Sequence, residues 1–132
     1  MTGDDEDVGS MGQLLLRTIA LEKDANQNRD INAGWLVSQM DLAAGSLAGT
    51  LAKGRAATVS ISKLDFISPV RIGAEVSFFG SVKQVGNSSL HIMIEVWTRD
   101  HQQKNSRKVT EGSFVLVAID EAGRIRSLPN GS

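Results

Sequence analysis

The 132-residue chain contains no cysteine, which excludes disulfides, thiolate metal ligands and a cysteine nucleophile together. It therefore suits a reducing compartment, and a cytoplasmic location is the expectation. Charge of one sign is also missing, because 14 Lys and Arg stand against 15 Asp and Glu. That balance argues against a broad basic face for nucleic acid, although a few clustered cations can still hold one polyanion. No apolar run approaches the roughly 20 residues that span a bilayer, so no membrane helix is expected. The first residues include Asp4, Asp5, Glu6 and Asp7, the opposite of the basic start of a secretory signal. Residues 1–12 read as a disordered acidic tail, and 13–132 as a single domain with enough chain to form a real core.

What is present has two periods. Gln13–Ile19 is short and apolar and predicts a first strand, followed by a polar loop from Glu22 to Arg29. From Ala33 to Lys53 the residues Leu36, Met40, Ala43, Leu47 and Leu51 recur at helical spacing, so this is the one long helix. Asp30 or Asn32 is positioned to cap its start, and Gly54 to end it. Gly45 and Gly49 weaken the helix and, four residues apart, offer one face for the close approach of another backbone or a thin ligand.

After Gly54 the period becomes two. Strands are predicted at Thr58–Ile67, with a bulge near Ser62, at Val76–Val85, at Leu90–Trp97 and at Val109–Ile119. Gly86-Asn87-Ser88 is a tight hairpin turn between the second and third of these, and Asp100 to Lys108 a longer hairpin loop. Phe114 to Ile119 is so apolar that it reads as buried on both faces. The fold class is α+β, with one helix laid on an antiparallel sheet of five to six strands. A single helix covers only one face of such a sheet, and association with a second copy is the economical remedy.

Common catalytic signatures are absent: there is no dinucleotide fingerprint, no phosphate-binding P-loop and no His-Glu-x-x-His. Ser46 lies within a helical pattern instead of on a nucleophile elbow. His91 and His101 have no second ligand or triad partner at local spacing. Asp41 stands out, because Trp35 to Gly49 is otherwise apolar or small apart from Ser38, Gln39 and Ser46. A carboxylate in low polarity is a candidate general base, and by spacing alone still more a candidate for a structural role such as bonding a neighbouring backbone. Asn32-Ala33-Gly34 at a helix start offers free N–H groups suited to a polarised carbonyl. Gly34 and Asp41 share a face but lie about 10 Å apart along the axis. If both act on one carbon, the carboxylate belongs to a second protomer.

The chain resembles the YciA-type acyl-CoA thioesterases of the hotdog superfamily. The resemblance is carried by Asp24-Ala25-Asn26, the run Gly34 to Asp41, Gly54-Arg55 with Thr58-Val59, Phe66, Pro69-Val70 with Gly73, Glu95-Val96-Trp97, Val109-Thr110-Glu111 and the ending Asp120 to Pro129. It implies a central helix wrapped by a strongly curved sheet, paired protomers in a trimer of dimers, and hydrolysis of acyl-CoA to a fatty acid and CoA without a cofactor or metal. It further implies that Asp41 activates water or attacks the thioester, that the Gly34 amide polarises the carbonyl from the other protomer, and that Asn26 positions the reacting group. Arg55, Thr58, Val59 and the turn Gly86, Asn87, Ser88 and Ser89 become expected CoA contacts. The family usually has an aromatic and a glycine where this chain has Asn32 and Ala33. A non-hydrolytic acyl-CoA-binding module is the alternative; a dehydratase would want a His beside the carboxylate, and none precedes Leu90.

Overall fold

A computed structural model describes residues 12–99 and 105–129. The expected acidic tail lies outside the described residues except for Gly12, and so does the 100–104 part of the long hairpin loop. Strand β1 (Gln13–Ile19) is followed by a short 3-10 helix at Glu22–Asp24, helix α1 (Ala33–Ala52), and strands β2 (Ala56–Phe66), β3 (Glu75–Val85), β4 (Ser89–Arg99) and β5 (Arg107–Ala118). All five strands join one antiparallel sheet in the order β1-β3-β4-β5-β2. The edges are therefore β1 and β2, the strands that flank the helix in sequence.

Helix α1 packs on one face of this sheet. Its fully covered stripe is Leu36, Met40, Ala43, Ala44, Ala48 and Ala52, set against Phe78, Ile92, Ile94, Phe114 and Leu116. Leu47 and Leu51, expected in the core stripe, are only partly buried. Alanines bring the helix axis close to the strands, and larger side chains at the same angle would hold it off. Gly112 of β5 marks such a close approach, since a Cβ there would meet Leu64 Cδ1 at 2.9 Å and Met40 Cε at 3.5 Å. Gly45 and Gly49 serve no approach of this kind. A Cβ on Gly45 would meet nothing within 4 Å, and one on Gly49 only the Gly54 carbonyl oxygen at 3.5 Å.

The ends of α1 are satisfied by two side chains. Asn32 is the N-cap, its side chain accepting from the Gly34 N–H at 3.2 Å. At the other end Lys53, not Gly54, takes the left-handed conformation at φ 54°, and the Arg126 guanidinium donates to the Ala52 carbonyl at 2.9 Å. A tertiary donor thus finishes what the local sequence left to glycine.

The β3–β4 turn closes as expected, with the Gly86 N–H donating to the Ser89 carbonyl at 2.8 Å. Strand β5 is not buried on both faces. Phe114, Leu116 and Ala118 are buried towards the helix, whereas Val115 and Val117 on the other face are only partly covered. The described residues supply nothing to cover that second face completely.

Candidate functional site

Asp41 lies two turns into α1, half-buried, and Thr58 of β2 donates its hydroxyl to Asp41 Oδ1 at 2.6 Å. Thr58 faces the helix because it pairs with Leu116 on β5, and the sheet inserts an extra residue, Val59, before the next pair Ser60 and Val115. A bulge at that point bends the strand and turns Val59 outward. The carboxylate is therefore oriented by a neighbouring side chain, not by a backbone group, and it is not sealed in the core. Leu42 beside it is 63% exposed, Val59 57% and Ile61 41%. Exposed apolar residues of this kind, beside a helix-borne carboxylate and along an edge strand, are a surface waiting for cover.

Asn26 and Gly34 sit at the N-terminal end of the helix. The Asn26 Oδ1 accepts from the N–H groups of Asn28 at 2.8 Å and Asp30 at 3.2 Å. That fixes the amide plane, and its Nδ2 has no hydrogen-bond partner among the described residues. Asn26 lines a cavity of about 320 Å³ with Ala33, Leu36, Phe66, Ile67 and Pro69. Asp24 holds this corner: its carboxylate accepts from the Leu21 N–H at 3.2 Å, and its carbonyl from the Asn32 N–H at 2.8 Å. The Gly34 N–H is not free, being engaged by Asn32. Sequence reasoning placed a cap at Asn32 and an open amide at Gly34 without noticing that the one occupies the other.

The remaining predicted contacts gather at the far end of the helix. Arg55, exposed, donates to the carbonyls of Asp120 at 3.4 Å and Glu121 at 3.1 Å. The turn from Gly86 to Ser89 meets the same C-terminal segment: the Ala118 N–H donates to the Ser88 carbonyl, the Leu128 N–H to that of Asn87, and Asn87 Nδ2 to Ser127 Oγ at 3.2 Å. Within one protomer the predicted residues thus form three groups, with Asp41, Thr58 and Val59 between the other two. Residues missed from sequence are Phe66 and Ile67, which extend the N-terminal cavity, and the segment 118–128, which organises the far end. The apolar pair at the end of the predicted strand, with Phe66 already among the residues of the resemblance, was the available signal for the first.

His91 projects from β4 on the face away from the helix, since its neighbours Leu90 and Ile92 belong to the core. Within one protomer it cannot partner Asp41. His101 lies outside the described residues. Among the described residues no three His, Asp or Glu side chains are grouped to hold a metal, and no helix is long and apolar enough to cross a membrane. Lys108 is held above the usual ammonium range by its hydrogen bond with Glu111 at 2.7 Å, on the helix-free face.

The model of the thioesterase superfamily matches residues 28–104, which include the helix, Asp41 and Thr58. The chain belongs to the thioesterase superfamily. It is 40% identical over 121 residues to the acyl-CoA thioester hydrolase YciA of Escherichia coli K12, covering 89% of this chain and 92% of that protein. The hexameric thioesterase of Yersinia pestis superposes with a TM-score of 0.87 at 41% identity, over 91% of this chain and 98% of that one. A hexameric hotdog-fold thioesterase of Campylobacter jejuni gives 0.85 at 32% identity, over 91% and 92%. The long helix on a five-stranded antiparallel sheet is the hotdog fold of this YciA-type thioesterase family.

Proposed function

We propose that the chain hydrolyses acyl-CoA thioesters, with Asp41 as general base or nucleophile in a site completed by a second copy. The observation that carries the reading is the half-buried Asp41 carboxylate, held by Thr58 within a chain 40% identical to an acyl-CoA thioester hydrolase. As a base, Asp41 takes a proton from water while the oxygen adds to the thioester carbon. As a nucleophile, it forms an anhydride that water opens. In either case the C–S bond breaks and the thiolate leaves, a step that needs little acid assistance because a thiol has a pKa of about 8.5. The carbonyl oxygen is polarised by the Gly34 N–H of the other protomer, where it displaces the Asn32 side chain, and Asn26 Nδ2 is the neighbouring donor.

Assembly follows from the same geometry. The 10 Å or so of helix between Gly34 and Asp41 keeps one carbonyl from meeting both in one protomer, and the exposed strip of Leu42, Val59 and Ile61 supplies an apolar contact. A homodimer supplies the missing half; relatives that are hexamers favour its further assembly into a trimer of dimers. Arg55, Thr58 and Val59 backbone and the turn Gly86 to Ser89 would hold the CoA moiety. We place the activity in the cytoplasm and assign it no cofactor.

The test is turnover of acetyl- through palmitoyl-CoA by the purified protein, read as free thiol. Hydrolysis of at least part of the panel is expected. Tight binding without thiol release would instead establish a non-hydrolytic acyl-CoA-binding module.

A further inference from the structure

The helix-free face of the sheet carries a trough of about 490 Å³ that the hydrolytic reading does not use. It runs across four strands, from Ser62 and Lys63 on β2, past Ser113 of β5 and His91 of β4, to Lys83 and Gln84 on β3. No carboxylate lines it. Both lysines come from bulges. On β3, Val82 pairs with Ile92 and Gln84 with the next residue, His91, so Lys83 is the inserted residue. On β2 a residue is inserted between Ser62 and Asp65, and Lys63 there adopts φ 51°. The left-handed region costs a non-glycine residue about 1 kcal/mol, and a bulge re-aims the side chain it carries.

The described arginines and the other lysine on this face each have a carboxylate within reach. Arg17 and Arg99 approach Glu75 at 3.8 and 3.3 Å, and Lys108 pairs with Glu111 at 2.7 Å. Lys63 and Lys83 have no carboxylate partner among the described residues. Three strand spacings, about 14 Å, separate the strands that bear them. Between them lie hydroxyl, amide and imidazole donors with Met93 and Val115 as an apolar floor. The volume is that of a small-molecule site.

We propose that this trough binds a phosphate-bearing anion of nucleotide size, its phosphates drawn to Lys63 and Lys83 and its ring resting on Met93 and Val115. Free nucleotide and the phosphorylated end of CoA share this chemistry. The site is independent of the role given to Asp41, and only the choice between these two sources uses the acyl-CoA reading.

The experiment is isothermal titration of the full-length protein with ADP, for the wild type and for K63Q/K83Q. The wild type is expected to bind ADP, and the double variant to bind at least tenfold more weakly, with unchanged melting temperature, light-scattering mass and kcat. Repeating the titration with a non-hydrolysable acyl-CoA thioether at saturation identifies the source. Undiminished ADP binding assigns the trough to a free nucleotide, and competitive loss, still dependent on the two lysines, assigns it to CoA. Absence of ADP binding to the wild type, or equal binding by the variant, would overturn the proposal. So would a change in mass, which would give the lysines to a contact between copies, or a fall in kcat, which would give them to turnover. If K63Q/K83Q melts early, K83Q alone carries the test, since Lys83 needs no left-handed backbone.

Discussion

Strands β4 and β2 are both eleven residues long and both antiparallel, yet they do opposite things. Every second residue of β4 from Leu90 to Thr98 is buried, and its ladder lies between β3 and β5. Strand β2 buries none of its residues fully, is interrupted by two register shifts, and lies on the edge. Regularity belongs to the strand that builds the core. The irregular strand carries Thr58 to the carboxylate, Lys63 to the trough and Phe66 to the cavity beside the helix start.

The comparison breaks most visibly in stability. Ile94→Ala in β4 removes a fully buried side chain and is expected to cost about 3 kcal/mol, whereas Ile61→Ala in β2 costs about 0.5 kcal/mol in an isolated protomer. Denaturant melts of both variants check the contrast. If Ile61→Ala costs as much as Ile94→Ala, a second copy covers the β2 edge in the folded unit.

A sharper test lies at Thr58. Losing the hydroxyl leaves the Asp41 carboxylate unoriented, so Thr58→Val is expected to lower kcat about tenfold, about 1.4 kcal/mol, with little change in melting temperature. Thr58→Ser, which keeps the donor, is expected to retain the rate. The core side holds a flaw of its own: Thr110 Oγ1 is fully buried with no hydrogen-bond partner among the described residues. Thr110→Val is expected to stabilise the protein by about 1 kcal/mol, seen as a rise of about 4 °C in melting temperature. Smallest is the effect at the helix start. Asn32→Gly releases the Gly34 N–H while costing only about 0.3 kcal/mol of capping. A rise of about twofold in kcat/KM is expected; a fall would mean that Asn32 itself assists the carbonyl.

The sequence announced every strand and the helix to within about two residues, because period and turn chemistry are local. The Gly86-Asn87-Ser88 turn and the bulge near Ser62 were legible for the same reason. Features set by distant partners were not. The left-handed residue at the helix end moved to Lys53 because Arg126, more than seventy residues away, holds the last carbonyl. The second face of β5 looked buried because Val115 and Val117 are apolar, but burial requires a covering layer that the described residues do not supply. In the site, Asp41 could be singled out as a carboxylate among apolar residues. Its bond to Thr58 could not, since that depends on the register of β2 against β5. The resemblance to a known family bridged part of that gap, and it did so through Thr58-Val59 as a motif, not through any contact.

The central claim is that Asp41 performs the chemistry and is not needed for the fold. Its most direct test is Asp41→Asn, assayed on the best acyl-CoA from the panel and melted beside the wild type. The expected result is a loss of about 10³-fold in kcat with the melting temperature and assembled mass retained. Full activity in Asp41→Asn, or a loss that merely follows unfolding, would contradict it.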